Sequence, residues 1–160
     1  MENKFYILAT LKLKKLFMKN LMYALALVLT AIVTNNVKAQ EVKLKSDKII
    51  VDDKPTFDYD KDGFEFHIYK LNTKDEIVYI QHSNNSTISY LEDDYKKIIF
   101  PNNNVNIESA LFRARSFKYI VTLLLTEKVL DLEGNIDAEK LQKFATKYNE
   151  NITARTVRLN

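Results

Sequence analysis

Asp58-Tyr59-Asp60-Lys61-Asp62-Gly63 is the segment whose residue types and spacing come nearest to a site of chemistry. Carboxylates at alternate positions followed by glycine open the loop that wraps a calcium ion, the glycine permitting the tight turn. The match stops there. The twelfth position is Tyr69, where a helix–loop–helix calcium site needs a bidentate glutamate, and Pro55 stands where the entering helix would be. Two expectations follow: a calcium turn built by Asp58, Asp60 and Asp62 within a β-hairpin, with Glu65 as a further ligand, or a solvated acidic turn.

Glu65, His67 and His82 are the other metal-ligating types that a hairpin brings together. If pairing makes residue numbers sum to 147, Glu65 faces His82 and His67 lies diagonally on the same face, a set suited to zinc. A slip of one residue separates them. Ser83, Ser86, Ser89 and Ser109 stand in no G-x-S-x-G elbow, and Asp52-Asp53 and Glu92-Asp93-Asp94 are adjacent acids of the kind found at solvated corners. No catalytic residue is assigned. Arg113, Arg115 and Lys118, with Arg155 and Arg158, are a cationic group suited to an anionic ligand, to pairing with those acidic corners or to plain solvation.

The composition removes whole classes of function. The chain has 160 residues, no cysteine, no tryptophan, two histidines, two glycines and two prolines. Disulfides, thiolate metal sites and thiol catalysis are excluded, as are glycine-rich phosphate loops. Lys12, Lys14, Lys15 and Lys19 precede an uncharged apolar run from Leu21 to Val33, and Val37-Lys38-Ala39 precedes Gln40. A basic region, a short apolar stretch and a small-residue boundary are the parts of a secretory signal peptide cut after Ala39. The run is shorter than the roughly 20 residues a spanning helix needs. Met18 offers an alternative start that leaves a compact signal. Without residues 1–39 the chain carries 18 basic and 20 acidic side chains, a net charge of −2 against +3 for the whole. That balance excludes nucleic acid as a partner.

Residues 40–160 read as one domain that changes pattern once. Val42 and Leu44 alternate with lysines, and Ile49 to Val51 follow; Asp52-Asp53-Lys54-Pro55 is a turn. Thr56 to Tyr59 is a short strand ended by Asp60 to Gly63. Phe64, Phe66 and Ile68 alternate with Glu65, His67 and Tyr69, and Ile77 to His82 returns beside them. Thr87 to Leu91, Ile98 to Phe100 and Val105 to Glu108 complete a meander of five to seven strands. From about Ala110 the period lengthens. Phe117, Ile120, Val121, Leu124 and Leu125 form one helical stripe, and Leu141, Phe144, Ala145 and Tyr148 another. Gly134 is placed to end the first helix and Asp137 to cap the second, with Ile136 and Leu141 as a hydrophobic staple. Ile152 to Leu159 is an edge strand in this reading. The fold class is α+β: an antiparallel β-meander packed by a C-terminal helical hairpin.

The Ala39-Gln40 boundary, the Val51-Asp52-Asp53-Lys54-Pro55 turn before an aromatic hairpin, and the Leu124-Leu125…Gly134…Phe144…Tyr148 helix pair resemble small exported proteins of flavobacterial type. The resemblance implies export and architecture and brings no activity with it. The expected function is that of a non-catalytic exported binding or adaptor domain, periplasmic or secreted. Its partner would be a protein or a cell-envelope component, with no membrane span after signal cleavage. A calcium-stabilised domain and a small hydrolase are the alternatives.

Overall fold

Alternating apolar and polar side chains dictate a sheet with one dry face, and seven strands take it up in sequence order. The computed structural model describes residues 14, 18–20, 40–84, 86 and 92–156. The chain divides into two compact units, Met1–Lys38 and Ala39–Asn160. In the first, Lys14, Met18, Lys19 and Asn20 are helical and exposed, and the apolar run of the expected signal lies outside the described residues. Among the described residues no helix is long and apolar enough to cross a membrane.

The second unit holds β1 (Val42–Lys45), β2 (Lys48–Val51), β3 (Lys54–Asp62), β4 (Glu65–Lys70), β5 (Glu76–Ser83), β6 (Tyr95–Phe100) and β7 (Val105–Ser109). Each strand pairs antiparallel with the next. After β7 come α1 (Phe117–Thr126), α2 (Ala138–Tyr148) and the short α3 (Ile152–Thr156). Phe57, Phe66, Ile68, Val78, Ile80, Ile98, Phe100 and Ile107 form the dry face, fully buried against Ile120, Val121, Leu124, Leu141 and Phe144 of the helices. The helical stripes thus bury Ile120, Val121, Leu124, Leu125, Leu141 and Phe144, with Phe117, Ala145 and Tyr148 partly buried against them.

Turn chemistry explains why the meander needs so few glycines. Ser46-Asp47 and Asp52-Asp53 join β1–β2 and β2–β3 with both central residues at positive φ, 49° and 59° in one and 49° and 63° in the other. That backbone matches the twist of a two-residue hairpin, and aspartate tolerates it better than most residues. The Asp52 turn is therefore two residues long, and Lys54-Pro55 already belongs to β3. Pro55 is accommodated where the pairing with β2 shifts between Ile49 and Ile50. β3 runs through Asp60 and Lys61 to Asp62, so the expected turn there shrinks to Gly63-Phe64, with Gly63 at φ +52°. Phe64, expected on the dry face, is the tip of that turn and 56% exposed.

The C-terminal half corrects three further expectations. Helix α1 ends at Thr126, and the left-handed residue behind it is Lys128 (φ 57°), not Gly134. Lys128 N–H donates to Leu125 O at 3.0 Å and Val129 N–H to Leu124 O at 2.9 Å, the paired bonds that satisfy a helix's last carbonyls. Gly134 instead turns the chain between Leu130 and Ile136, which form a β-bridge. Asp137 caps α2 as expected, accepting from Lys140 N–H at 3.0 Å. Residues Ile152–Thr156 are helical rather than an edge strand, because the edge beside β7 is already occupied. Asn149 Oδ1 accepts from Glu108 N–H, Glu150 N–H donates to Glu108 O, and the Glu108 carboxylate accepts both Thr153 N–H and Thr153 Oγ1–H at 2.7 and 2.6 Å. The expected strand at Thr87 to Leu91 and residues 157–160 lie outside the described residues.

Gly134 has φ +82°, and a Cβ there would come within 2.9 Å of Lys70 Cγ and 3.0 Å of Ile77 Cδ1. Gly134→Ala is expected to cost about 2 kcal/mol, whereas Lys128→Gly, which relieves a left-handed lysine, is expected to add about 0.5–1 kcal/mol. Urea denaturation of the two variants checks both signs.

Candidate functional site

Strand geometry sets how the acidic motif is presented. Asp58, Asp60 and Asp62 are alternate residues of β3, so they share the outer face and their Cα atoms are spaced about 6–7 Å apart along it. Asp58 is already engaged: Lys48 Nζ lies 2.5 Å from Oδ1, and Oδ2 accepts Asn72 N–H at 2.9 Å. Asp60 pairs in register with His67, and Asp62 with Glu65. The strand lays the three carboxylates in a row instead of folding them around a point. Among the described residues no group of three or more His, Asp or Glu side chains is placed to hold a metal ion. Millimolar calcium is accordingly expected to leave the melting temperature unchanged, by calorimetry with and without chelator.

The Glu65–His67–His82 set is divided by register. Glu65 pairs with Gln81, Phe66 with Ile80 and His67 with Tyr79, so residue numbers sum to 146. An even sum places Phe66 and Ile68 on the same face as Ile80 and Val78, which burial demands; an odd sum would oppose Phe66 to Gln81. His82 therefore points to the helix side. On the outer face His67 Nδ1 lies 2.6 Å from Glu76 Oε1, with its ring stacked 4.5 Å from that of Tyr79. Tyr79 OH donates to Glu65 Oε1 at 2.7 Å. That bond holds the Glu65 carboxyl below its usual range, and burial, with the same bond, pushes the Tyr79 phenol up to about 12.

On the helix side His82 joins a chain invisible to motif reasoning. Lys96 Nζ donates to Phe112 O (3.0 Å), Arg113 O (2.7 Å) and His82 Nδ1 (3.3 Å). An ammonium only donates, so His82 Nδ1 accepts, and Nε2–H donates to Asp94 Oδ2 at 3.1 Å. Asp94 and Lys96 are 3% and 5% exposed. Burial lowers the Lys96 amine to about 8, opposed by the nearby Asp94 charge. One edge of this chain meets solvent, where His82 lines a recess of about 460 Å³ with Phe64, Glu65, Gln81, Ser83, Asn84 and Ser86. Asp, His and Lys in contact suggest acid–base chemistry, yet both imidazole nitrogens and all three ammonium protons are already bonded. The chain ties β5, the Asp94 corner and β6 to the connector before α1.

Ser109, also considered a nucleophile, is fully buried and donates to Glu150 Oε1 at 2.9 Å. Ser83 and Ser86 line the recess, and Ser89 lies outside the described residues. The cationic group behaves differently. Arg113 Nη1 donates to the carbonyl of Glu92 at 3.1 Å, and Arg115 lies 4.9 Å over the Tyr119 ring. Lys61 and Lys96 each approach the Phe117 ring to 5.9 Å. Among the described residues, the ion pairs involve neither Lys61, Arg113, Arg115 nor Lys118, all of them exposed, so of the expected alternatives the pairing with acidic corners is not the one taken up. The side chain of Arg155 and all of Arg158 lie outside the described residues. Helix α1 starts here, capped by Ser116, with no acid in its first turn. The positive end of the helix dipole and these cations therefore add instead of cancelling.

The fold and this surface define a class: an α+β domain of a seven-stranded antiparallel meander and a helix pair, with a cationic end at the start of α1. Comparison with family models, with curated proteins and with solved structures returned no match.

Proposed function

We propose that residues 40–160 form an exported, non-catalytic binding or adaptor domain that engages a component of the cell envelope. The observation that carries this reading is the cationic end at Lys61, Arg113, Arg115 and Lys118, where charges face solvent without carboxylate partners among the described residues. His82 and Lys96, by contrast, spend their ring nitrogens and ammonium protons on Asp94 Oδ2, on one another and on backbone carbonyls, while Asp94 Oδ1 is buried without a hydrogen-bond partner among the described residues. Export rests on the lysine-rich start, the apolar run and the Ala39-Gln40 boundary.

Two measurements test the reading. N-terminal sequencing of the exported protein is expected to begin at Gln40; uncleaved chain found only inside the cell would remove export. Residues 40–160 are expected to sediment with total bacterial envelope material. Arg115→Glu with Lys118→Glu should abolish this and Lys45→Glu with Lys74→Glu should not. Equal retention of both double variants would remove the assigned surface.

A further inference from the structure

Resting on that reading, we propose that the envelope component is the surface of an anionic lipid bilayer, docked peripherally by the end of the domain at the start of α1. Two kinds of side chain coincide there. The cations are Lys61, Arg113, Arg115 and Lys118. Among the described residues of this unit the exposed large hydrophobics are Phe64 (56%), Leu111 (65%), Tyr119 (40%) and Leu132 (44%), and three of these four stand beside those cations. Phe64 is at the hairpin tip three residues past Lys61, Leu111 two residues before Arg113, and Tyr119 next to Lys118 and beneath Arg115.

Short distances hold these elements in one neighbourhood. The Phe64 ring is 5.3 Å from that of His82, whose Nδ1 is 3.3 Å from Lys96 Nζ. Lys96 Nζ contacts the carbonyls of Phe112 and Arg113 and lies 5.9 Å from the Phe117 ring, which Lys61 approaches equally closely. A buried lysine thus binds the hairpin tip, the turn carrying Leu111 and the start of α1 into one end. Of the flanking acids, Asp62 and Glu65 lie on the outer face of the sheet, Glu65 bound to Tyr79 and Gln81, and Glu92 meets Arg113 through its backbone carbonyl.

A bilayer interface suits this combination because it takes both parts without requiring a shaped cavity. Lipid phosphates meet the cations, while aromatic and leucine side chains enter the headgroup boundary. An acidic protein segment would satisfy the charges but would leave three apolar tips from three separate elements to be matched individually. Each Lys or Arg near an anionic leaflet strengthens binding about fivefold, and the attraction falls within a Debye length.

The test is co-sedimentation of residues 40–160, the unit that contains the whole described core, with vesicles of phosphatidylcholine with and without phosphatidylglycerol. Retention is expected only with the anionic lipid and is expected to fall with salt. Arg115→Glu with Lys118→Glu should weaken it at least about 25-fold, and Phe64→Ser with Leu111→Ser about tenfold. The control Lys45→Glu with Lys74→Glu should weaken it less than about threefold. Equal retention on pure phosphatidylcholine, or indifference to the Arg115/Lys118 reversal, overturns the proposal. If envelope material is captured but anionic vesicles are not, the binding reading stands and the lipid assignment falls. Capture by polyglutamate in place of vesicles would reassign the surface to an acidic protein.

Discussion

Raising the pH from 8 to about 10 is expected to stabilise this domain, by up to about 3 kcal/mol if the full lowering of the Lys96 amine is realised. Most proteins lose stability over that range, so the sign is diagnostic. Burial lowers the folded-state amine from its ordinary 10.5 to about 8. Between those values the unfolded chain holds a proton that the native chain has released, and stability rises with pH wherever the unfolded state binds more protons. Below 8 both states are protonated and the penalty of the buried charge is paid in full. The other shifted bases do not mask the effect. Lys43, Lys143 and Lys147 are raised by carboxylate partners, so their contributions are fully present below the ordinary 10.5 and are lost only as pH climbs from there through their raised values. The Tyr79 phenol, raised to about 12, acts only above its ordinary 10.

Lys96→Met should remove the alkaline rise and cost about 3 kcal/mol at pH 7, because His82 Nδ1 and two carbonyls are left without their donor and the buried Asp94 charge without its nearby cation. Asp94→Asn in the same chain should recover part of that loss, a coupling that a double-mutant cycle measures. Urea denaturation at pH 7.5, 8.5 and 9.5 reads all three effects. A flat profile in the native protein, or an alkaline rise that survives Lys96→Met, would show that the buried amine is not the titrating group.

Why Lys96 escaped a reading of the sequence shows where such reading ends. Alternation identified the meander because Phe66, Ile68, Val78 and Ile80 repeat at period two, and the helices because Ile120, Val121, Leu124 and Leu125 repeat near 3.6. These are properties of single segments. Register is a property of pairs, and a sum of 146 instead of 147 moved His82 to the other face, dissolving one candidate site and creating another contact set. The signal for Lys96 lay in the parity of Tyr95 to Phe100, where Lys96, Ile98 and Phe100 alternate; a lysine before a second lysine reads as surface unless that parity is followed. Gly134 and Lys128 make a related point. A glycine predicts a left-handed residue, but the left-handed residue behind α1 is a lysine six positions earlier, followed by Val129 and Leu130 in the core. The cationic group was legible as composition. The absence of ion pairs at Arg113, Arg115 and Lys118 among the described residues was not, since that depends on how the chain folds around them.

Phe66→Ala is expected to cost about 4 kcal/mol, a large share of the 5–15 kcal/mol that holds a domain together. The ring is fully buried at the middle of the sheet, stacked 5.0 Å from Tyr59 on the neighbouring strand and 5.0 Å from Phe117 at the start of α1. Truncation loses the transfer of an aromatic side chain, leaves a cavity between sheet and helix, and breaks two ring contacts. Phe66→Leu keeps most of the volume and should cost about 1.5 kcal/mol, while Tyr69→Ala on the outer face should cost about 1 kcal/mol or less. Urea midpoints rank the three, and a loss at Phe66 no larger than at Tyr69 would contradict the assignment of the dry face. Phe117 is the link from this core to the surface. It rests on Phe66, lies 5.9 Å from both Lys61 and Lys96, and precedes Lys118 in α1. Loosening its platform should disorder the cations around it, so Phe66→Leu, though folded, is expected to bind anionic vesicles more weakly than Tyr69→Ala does. The sheet interior is thereby coupled to the surface through a single stacked pair.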